Sequence, residues 1–120
     1  MSLSAKEIGQ VVHILNGELS GAIVRQVFSP ESPERIVLEL RAGGQNHFLQ
    51  FVVAPSPSRV CRIPNKPRAA REPHPFVMLL RRELKGMLIV DISQVNGDRV
   101  VRLDAASKEK RGSLVVELTS

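Results

Sequence analysis

The sequence predicts an α+β fold: antiparallel β-sheets, sandwich-like in one or two packed layers, with an N-terminal helix and a second short helix. Three features predict it. Apolar residues recur at helical spacing only near the start of the chain and again over residues 76–84. Elsewhere they alternate in short β-rich runs closed by Gly, Pro, Asn and Ser. Gly43-Gly44 and Asn96-Gly97 lie between pairs of such runs, where hairpin turns need residues that tolerate positive φ.

The first helix is predicted over 5–18. Ser4-Ala5-Lys6-Glu7 reads as a capping box, in which Ser4 accepts the amide three residues on and Glu7 reaches back. Ile8, Val11, Val12, Leu15 and Leu19 follow at helical spacing; Gly9 weakens the helix and Asn16-Gly17 is a possible early stop. A strand over 22–28 closes at Ser29-Pro30 and Ser32-Pro33. Residues 35–41 place Ile36, Leu38 and Leu40 on one face. The return strand, 46–53, is apolar on both faces, as expected of a central strand. Pro55, Pro57, Pro64, Pro67, Pro73 and Pro75 then punctuate the middle, with one extended run at 59–63 among them. Pro75 fits the first turn of the second helix, which is expected to bury Phe76, Leu79, Leu80 and Leu84 and to stop at Gly86. A strand over 88–95 is expected to alternate Leu88, Val90 and Ile92 on one side. Residues 99–104 return with Val101 and Leu103, a charged turn spans 107–112, and a last strand covers 114–118.

At 120 residues the chain is read as one domain, 1–120, large enough to bury a core without staples. There is no Trp and no Tyr, so that core must be built mainly from Ile, Leu and Val, and the chain is poorly equipped to stack nucleobases. The net charge of +5 is uneven. Arg59, Arg62, Lys66, Arg68, Arg71, Arg81, Arg82 and Lys85 face only Glu72 and Glu83 within their window, so the whole positive excess belongs to one segment. Such a segment suits phosphate contacts, or serves as a solvated loop. A single cysteine excludes an internal disulfide. With no secretory signal pattern and no apolar run near the roughly 20 residues a bilayer requires, the chain is read as soluble, cytoplasmic and not bound to membrane.

Familiar catalytic constellations are missing. Neither a G-x-x-x-x-G-K-[ST] loop nor a G-x-G-x-x-G turn occurs, and Gly43-Gly44 reads as a turn, not a phosphate cradle. His13, His47, His74 and Cys61 show no zinc spacing, so no metal or cofactor is expected. His74, among prolines beside the basic loop, is the histidine best placed to touch a ligand, and Cys61 is read as structural. Asp91, Asp98 and Asp104 fall on separate strands or turns, so no paired-carboxylate site is indicated. Asp98-Arg99 stands apart, at the tip of the Asn96-Gly97 hairpin. There an arginine fork can meet phosphates, base edges or a stacked base, or the pair is a weak surface ion pair.

Pro75-Phe76-Val77-Met78-Leu79-Leu80-Arg81-Arg82 and the later Gly97-Asp98-Arg99-Val100 carry a resemblance. In that order, with the leading helix, Phe28-Ser29-Pro30, the Gly-Gly hairpin and Ala54-Pro55-Ser56, they resemble the N-terminal domain of the NFACT family. That family comprises fibronectin-binding-protein-A-like and ribosome quality-control proteins. The resemblance implies a fold similar to the N-terminal domain of formamidopyrimidine-type DNA glycosylases. The N-terminal Pro-Glu of those enzymes has no counterpart in Met1-Ser2-Leu3, so their chemistry is not carried over. It also implies a non-enzymatic RNA-binding module that contacts tRNA and the large ribosomal subunit during rescue of stalled ribosomes and C-terminal tailing. Asp98 and Arg99 would be its tRNA contact, and Arg59, Arg62, Lys66, Arg68, Arg71, Arg81, Arg82 and Lys85 its phosphate patch. Full family members are longer, so the chain is expected to be an excised domain or a short relative, with other domains of a full-length protein as further partners. The alternatives are a protein-interaction module of the fibronectin-binding kind and a glycosylase-fold DNA-binding domain without catalysis.

Overall fold

Ser4 opens the first helix as the capping box requires: its hydroxyl accepts the Glu7 amide at 3.2 Å, and Glu7 Oε1 accepts the Ser4 amide at 3.0 Å. The structure, a computed structural model, describes residues 4–30, 34–53, 58–68 and 70–118. Met1-Ser2-Leu3, Ser32-Pro33, Pro57 and Ala54-Pro55-Ser56 lie outside the described residues. Helix α1, Ala5–Leu19, buries Ile8, Val12, Leu15 and Leu19. It passes through Asn16-Gly17 instead of stopping there, and Asn16 is put to tertiary use: its Oδ1 accepts the Ile92 amide at 2.9 Å. Gly9 has a packing reason, because a β-carbon there would stand 2.6 Å from Gln94 Oε1.

Seven strands follow: β1 (Ile23–Phe28), β2 (Arg35–Ala42), β3 (Gln45–Val52), β4 (Arg59–Ile63), then helix α2 (Pro75–Leu84), then β5 (Leu88–Gln94), β6 (Val100–Ala106) and β7 (Arg111–Glu117). They form one antiparallel sheet in the order β4-β3-β2-β1-β5-β6-β7. Of the one or two layers anticipated, there is one, and it curls. Ile36 and Phe51, from the first half of the sheet, line the same cleft as Leu114 and Val116 of β7. The two halves, β1–β4 and β5–β7, meet through a single registered pair, Ile23 with Leu88.

The main core lies inside this curl. Ile36, Leu38 and Leu40 of β2 share it with Leu49 and Phe51 of β3, Ile89, Ile92, Val101 and Leu103 from the second half, and the apolar stripe of α1. As its two-faced pattern predicts, β3 is central to its half and buried on both sides. On the outer face Phe28, Val37 and Phe48 form a second, small cluster with Ile63 packed against it.

Two apolar patterns differ from expectation. In α2 the buried stripe is Val77, Leu80 and Leu84, while Phe76 and Leu79 remain about 40% exposed (43% and 41%). With that face inward Arg81 is also turned toward the sheet, its Nε donating to Val27 O at 2.9 Å. In β5 Ile89 and Ile92 are buried, while Leu88 and Val90 face solvent. A register shift between Ile89 and Asp91 inserts one residue and reverses the alternation. The same irregularity occurs in β1 between Val24 and Gln26.

Candidate nucleic-acid interface

The β5–β6 hairpin closes with Val95 N donating to Val100 O at 2.9 Å and Asp98 N to Val95 O at 2.9 Å. Asn96 and Gly97 both take positive φ, 53° and 67°, as a turn of the favoured hairpin hand requires. Four hydrogen bonds fix the tip. Gln94 Nε2 donates to Ala5 O and to Asp98 O, both at 2.7 Å, which ties the loop to the first turn of α1. Arg99 O accepts the Leu118 amide at 2.8 Å. Asp98 Oδ1 accepts the Arg99 amide at 2.7 Å.

The two side chains of the pair therefore do different things. Asp98 is exposed, and its carboxylate braces the turn. Arg99 is half-buried and does not project into solvent as a tip residue was expected to. Its Nη2 lies 3.5 Å from Ser58 Oγ, immediately before Arg59 and the start of β4.

The basic segment is divided by the fold. Arg59 follows Ser58 in the chain and opens β4, exposed on the strand face opposite the buried Val60. Arg62 is near the C-terminal end of α1, 3.3 Å from Glu18 and in contact with His47 Nδ1. Arg81 is committed to Val27 O, and Arg82 lies 3.5 Å from Glu83, which also meets Lys110 at 3.7 Å. Lys66 lies over the Phe28 ring at 5.3 Å. Among the described residues Arg59, Lys66, Arg68, Arg71 and Lys85 are exposed and have no carboxylate within ion-pair distance. The ten residues singled out from the sequence thus occupy at least two places, the hairpin tip and the outer face with Lys66 and Lys85.

Sequence reasoning missed two residues at the second place. Arg25, at the β1 irregularity, and Glu39 of β2 line an outer-face cleft together with Lys66, Lys85 and Gly86. The signal was present in the spacing: Val24 and Val27, both apolar, stand three apart within one strand, and strict alternation cannot put both on the same face.

Other polar groups make contacts that hold the fold. His74 caps α2 by accepting the Phe76 amide on Nδ1 at 3.1 Å, which accounts for its place before Pro75. Cys61 is half-buried and accepts from Gln50 Nε2 at 3.5 Å, while Gln50 Oε1 accepts from Arg35. The Ser113 hydroxyl of β7 and then the Arg102 guanidinium donate to Asp104 of β6 and hold its carboxyl below the ordinary carboxylate range. The Ser4 amide and hydroxyl do the same for Glu7. No three His, Cys, Asp or Glu side chains gather as a metal site among the described residues. No helix among them is long and apolar enough to cross a membrane.

An α+β domain with a curled antiparallel sheet, a braced Asp-Arg hairpin tip and a divided basic surface is the class that fold and surface define. Residues 6–120 match the family of NFACT N-terminal and middle domains, and the chain belongs to that family. It is 28% identical over 123 residues to the Rqc2 homolog RqcH of Streptococcus pneumoniae, covering 98% of this chain and 22% of that protein. With the Rqc2 homolog RqcH of Bacillus subtilis it shares 29% over 106 residues, 88% of this chain and 18% of the relative. The solved N-terminal domain of the fibronectin-binding protein PavA from S. pneumoniae superposes with a TM-score of 0.89 at 26% identity, covering 97% of this chain and 45% of that one. The N-terminal part of the fibronectin/fibrinogen-binding protein from Streptococcus suis has the same fold, with a TM-score of 0.90. The chain therefore spans about a fifth of the length of the RqcH relatives and under half of the solved domains.

Proposed function

We propose that this domain is the RNA-binding N-terminal module of a ribosome-associated quality-control factor, acting in the cytoplasm without catalysis of its own. It contacts tRNA through the Asp98-Arg99 tip, and it docks on RNA phosphates, including those of the large ribosomal subunit, through its exposed cations. The observation that carries this reading is the joining of Arg99 to Ser58. That contact sets the hairpin tip against the start of β4, where Arg59 is the next residue along the chain. A short hydrogen-bonded tip positions a nucleic acid, and exposed cations such as Arg59 engage its backbone. The kinship with Rqc2 homologues supports the biological setting.

The test is tRNA binding by the intact 120-residue chain at low and moderate salt, beside Asp98→Ala/Arg99→Ala. Binding lost in the variant supports the reading. Equal binding by both proteins that fades alike with salt refutes a tRNA-specific tip.

A second reading is favoured by the names of the solved relatives, which are fibronectin- and fibrinogen-binding proteins. In that case the domain is a protein-interaction module. Affinity for fibronectin that persists at high salt, with none for tRNA, would establish it.

A further inference from the structure

The outer face of the sheet carries a cleft of about 450 Å³, separate from the hairpin tip. Its floor is β1 and β2, with Phe28, Gln26 and Glu39, the last two directly opposite each other in register. One wall is Lys66, from the loop after β4, held over the Phe28 ring. The other wall is Lys85-Gly86, at the turn from α2 into β5. Arg25 enters at the register shift between Val24 and Gln26, the kind of irregularity that re-aims a side chain beside a site.

Three cations and one carboxylate therefore line one cleft. Among the described residues none of the three reaches Glu39 within ion-pair distance. The charges are held apart across a space instead of neutralising one another. The C-terminal end of α2 adds about half a negative charge beside Lys85. With Glu39 counted as well, the cleft stays positive. Its chemistry suits a ligand that is anionic at one end and donates a hydrogen bond at the other. A phosphate with a free hydroxyl beside it has that character, and in a nucleic acid only a ribonucleotide has it at every residue.

We propose that this cleft holds one phosphate of the RNA backbone with its ribose. Arg25, Lys66 and Lys85 donate to the phosphate oxygens, and Glu39 accepts the 2′-hydroxyl. Arg25 supplies a planar fork, whereas the two lysines act as point charges from opposite walls. Glu39 makes the site selective: it repels a bare polyanion and repays that cost only when a 2′-hydroxyl is offered. The inference rests on the RNA-binding reading above and gives it a second contact on another face.

The experiment uses fluorescein-labelled oligo(rA) and oligo(dA) of equal length, with tRNA as a third probe, titrated against the intact chain by anisotropy. Circular dichroism confirms that each variant is folded. Arg25→Ala/Lys66→Ala should weaken oligo(rA) binding about tenfold and make its salt dependence shallower by about 0.7, the slope of one single-strand phosphate contact. Glu39→Gln should leave oligo(rA) affinity nearly unchanged and raise oligo(dA) affinity, which narrows the preference for RNA. Unchanged affinity and slope in Arg25→Ala/Lys66→Ala, in a protein that still binds tRNA through Asp98 and Arg99, overturn the cleft and leave the tip reading standing. Binding that depends on the cleft but not on Asp98 and Arg99 supports the cleft and removes the tip. A wild-type chain that binds none of the three probes overturns both.

Discussion

Gly9→Ala should destabilise the native chain yet stabilise it once Gln94 has been removed. In a helix interior alanine is favoured over glycine by about 1 kcal/mol. At this site the new methyl would stand 2.6 Å from Gln94 Oε1 and 3.4 Å from its Cδ. The glutamine can rotate away, so the overlap itself is cheap. Rotation breaks the two bonds from Nε2 to Ala5 O and Asp98 O, each about 1 kcal/mol. A loss of about 2 kcal/mol against a gain of about 1 leaves Gly9→Ala about 1 kcal/mol less stable. In a Gln94→Ala background nothing is left to clash, and the same substitution should gain about 1 kcal/mol. The coupling in the double-mutant cycle is then about 2 kcal/mol. Urea unfolding followed by far-ultraviolet circular dichroism is the assay, because the chain has no Trp or Tyr to report by fluorescence. The midpoint should move by about 0.5 M in opposite directions in the two backgrounds. Stabilisation of equal size in both would refute the argument that Gly9 exists to admit Gln94. Because the lost bonds also hold the hairpin tip, Gly9→Ala alone should weaken tRNA binding.

Three further outcomes are expected. Ile89→Ala should cost about 2–5 kcal/mol in chemical denaturation and its neighbour Val90→Ala less than about 0.5, since Ile89 is buried in the core while Val90, the inserted residue of β5, faces solvent. Arg81→Met keeps the apolar stem but loses the bond to Val27 O, so thermal or urea unfolding should show a loss of about 1 kcal/mol. Asp104 has a lowered carboxyl pKa in the folded state, so its contribution is present above the ordinary carboxylate value and is lost as pH falls through the folded value. Urea midpoints measured from pH 6 to pH 3 should therefore fall more steeply for the wild type than for Asp104→Asn.

The helix cap, the hairpin turns and the two-faced β3 were legible because each is a local rule written in adjacent residues. Ser4 and Glu7 are three apart, and Asn96-Gly97 sits between alternating runs. The phase of β5 was not legible from alternation, because one inserted residue reverses every side chain after it. The spacing of Ile89 and Ile92 was the only trace. The face of α2 was misjudged for another reason: the helix is set against β1, where Arg81 meets a carbonyl 54 residues earlier, and no local pattern reports that. The same holds for the basic segment. Its net charge could be read from the sequence, but its division between the tip and the outer face depends on partners such as Glu18, Phe28 and Ser58. Arg25 and Glu39 lie outside the charged window, and the fold alone brings them to Lys66 and Lys85.

The single registered pair between β1 and β5 also bears on how the chain folds and breathes. Within β1–β4, and again within β5–β7, strands that follow one another in sequence lie side by side, so each half is assembled by short loop closures. The halves join along the sheet at Ile23 and Leu88, flanked by backbone bonds such as Ile89 N to Ala22 O at 2.7 Å and Val24 N to Met87 O at 2.9 Å. The domain is in this sense two cooperative units sharing one core, and the seam is the cheapest place for partial opening. The amides of Val24 and Ile89 should then exchange with solvent through an event smaller than global unfolding, ahead of those deep in β2 and β6. Lys85 and Gly86 belong to the turn that leads into this seam, so occupation of the outer cleft would slow the same exchange.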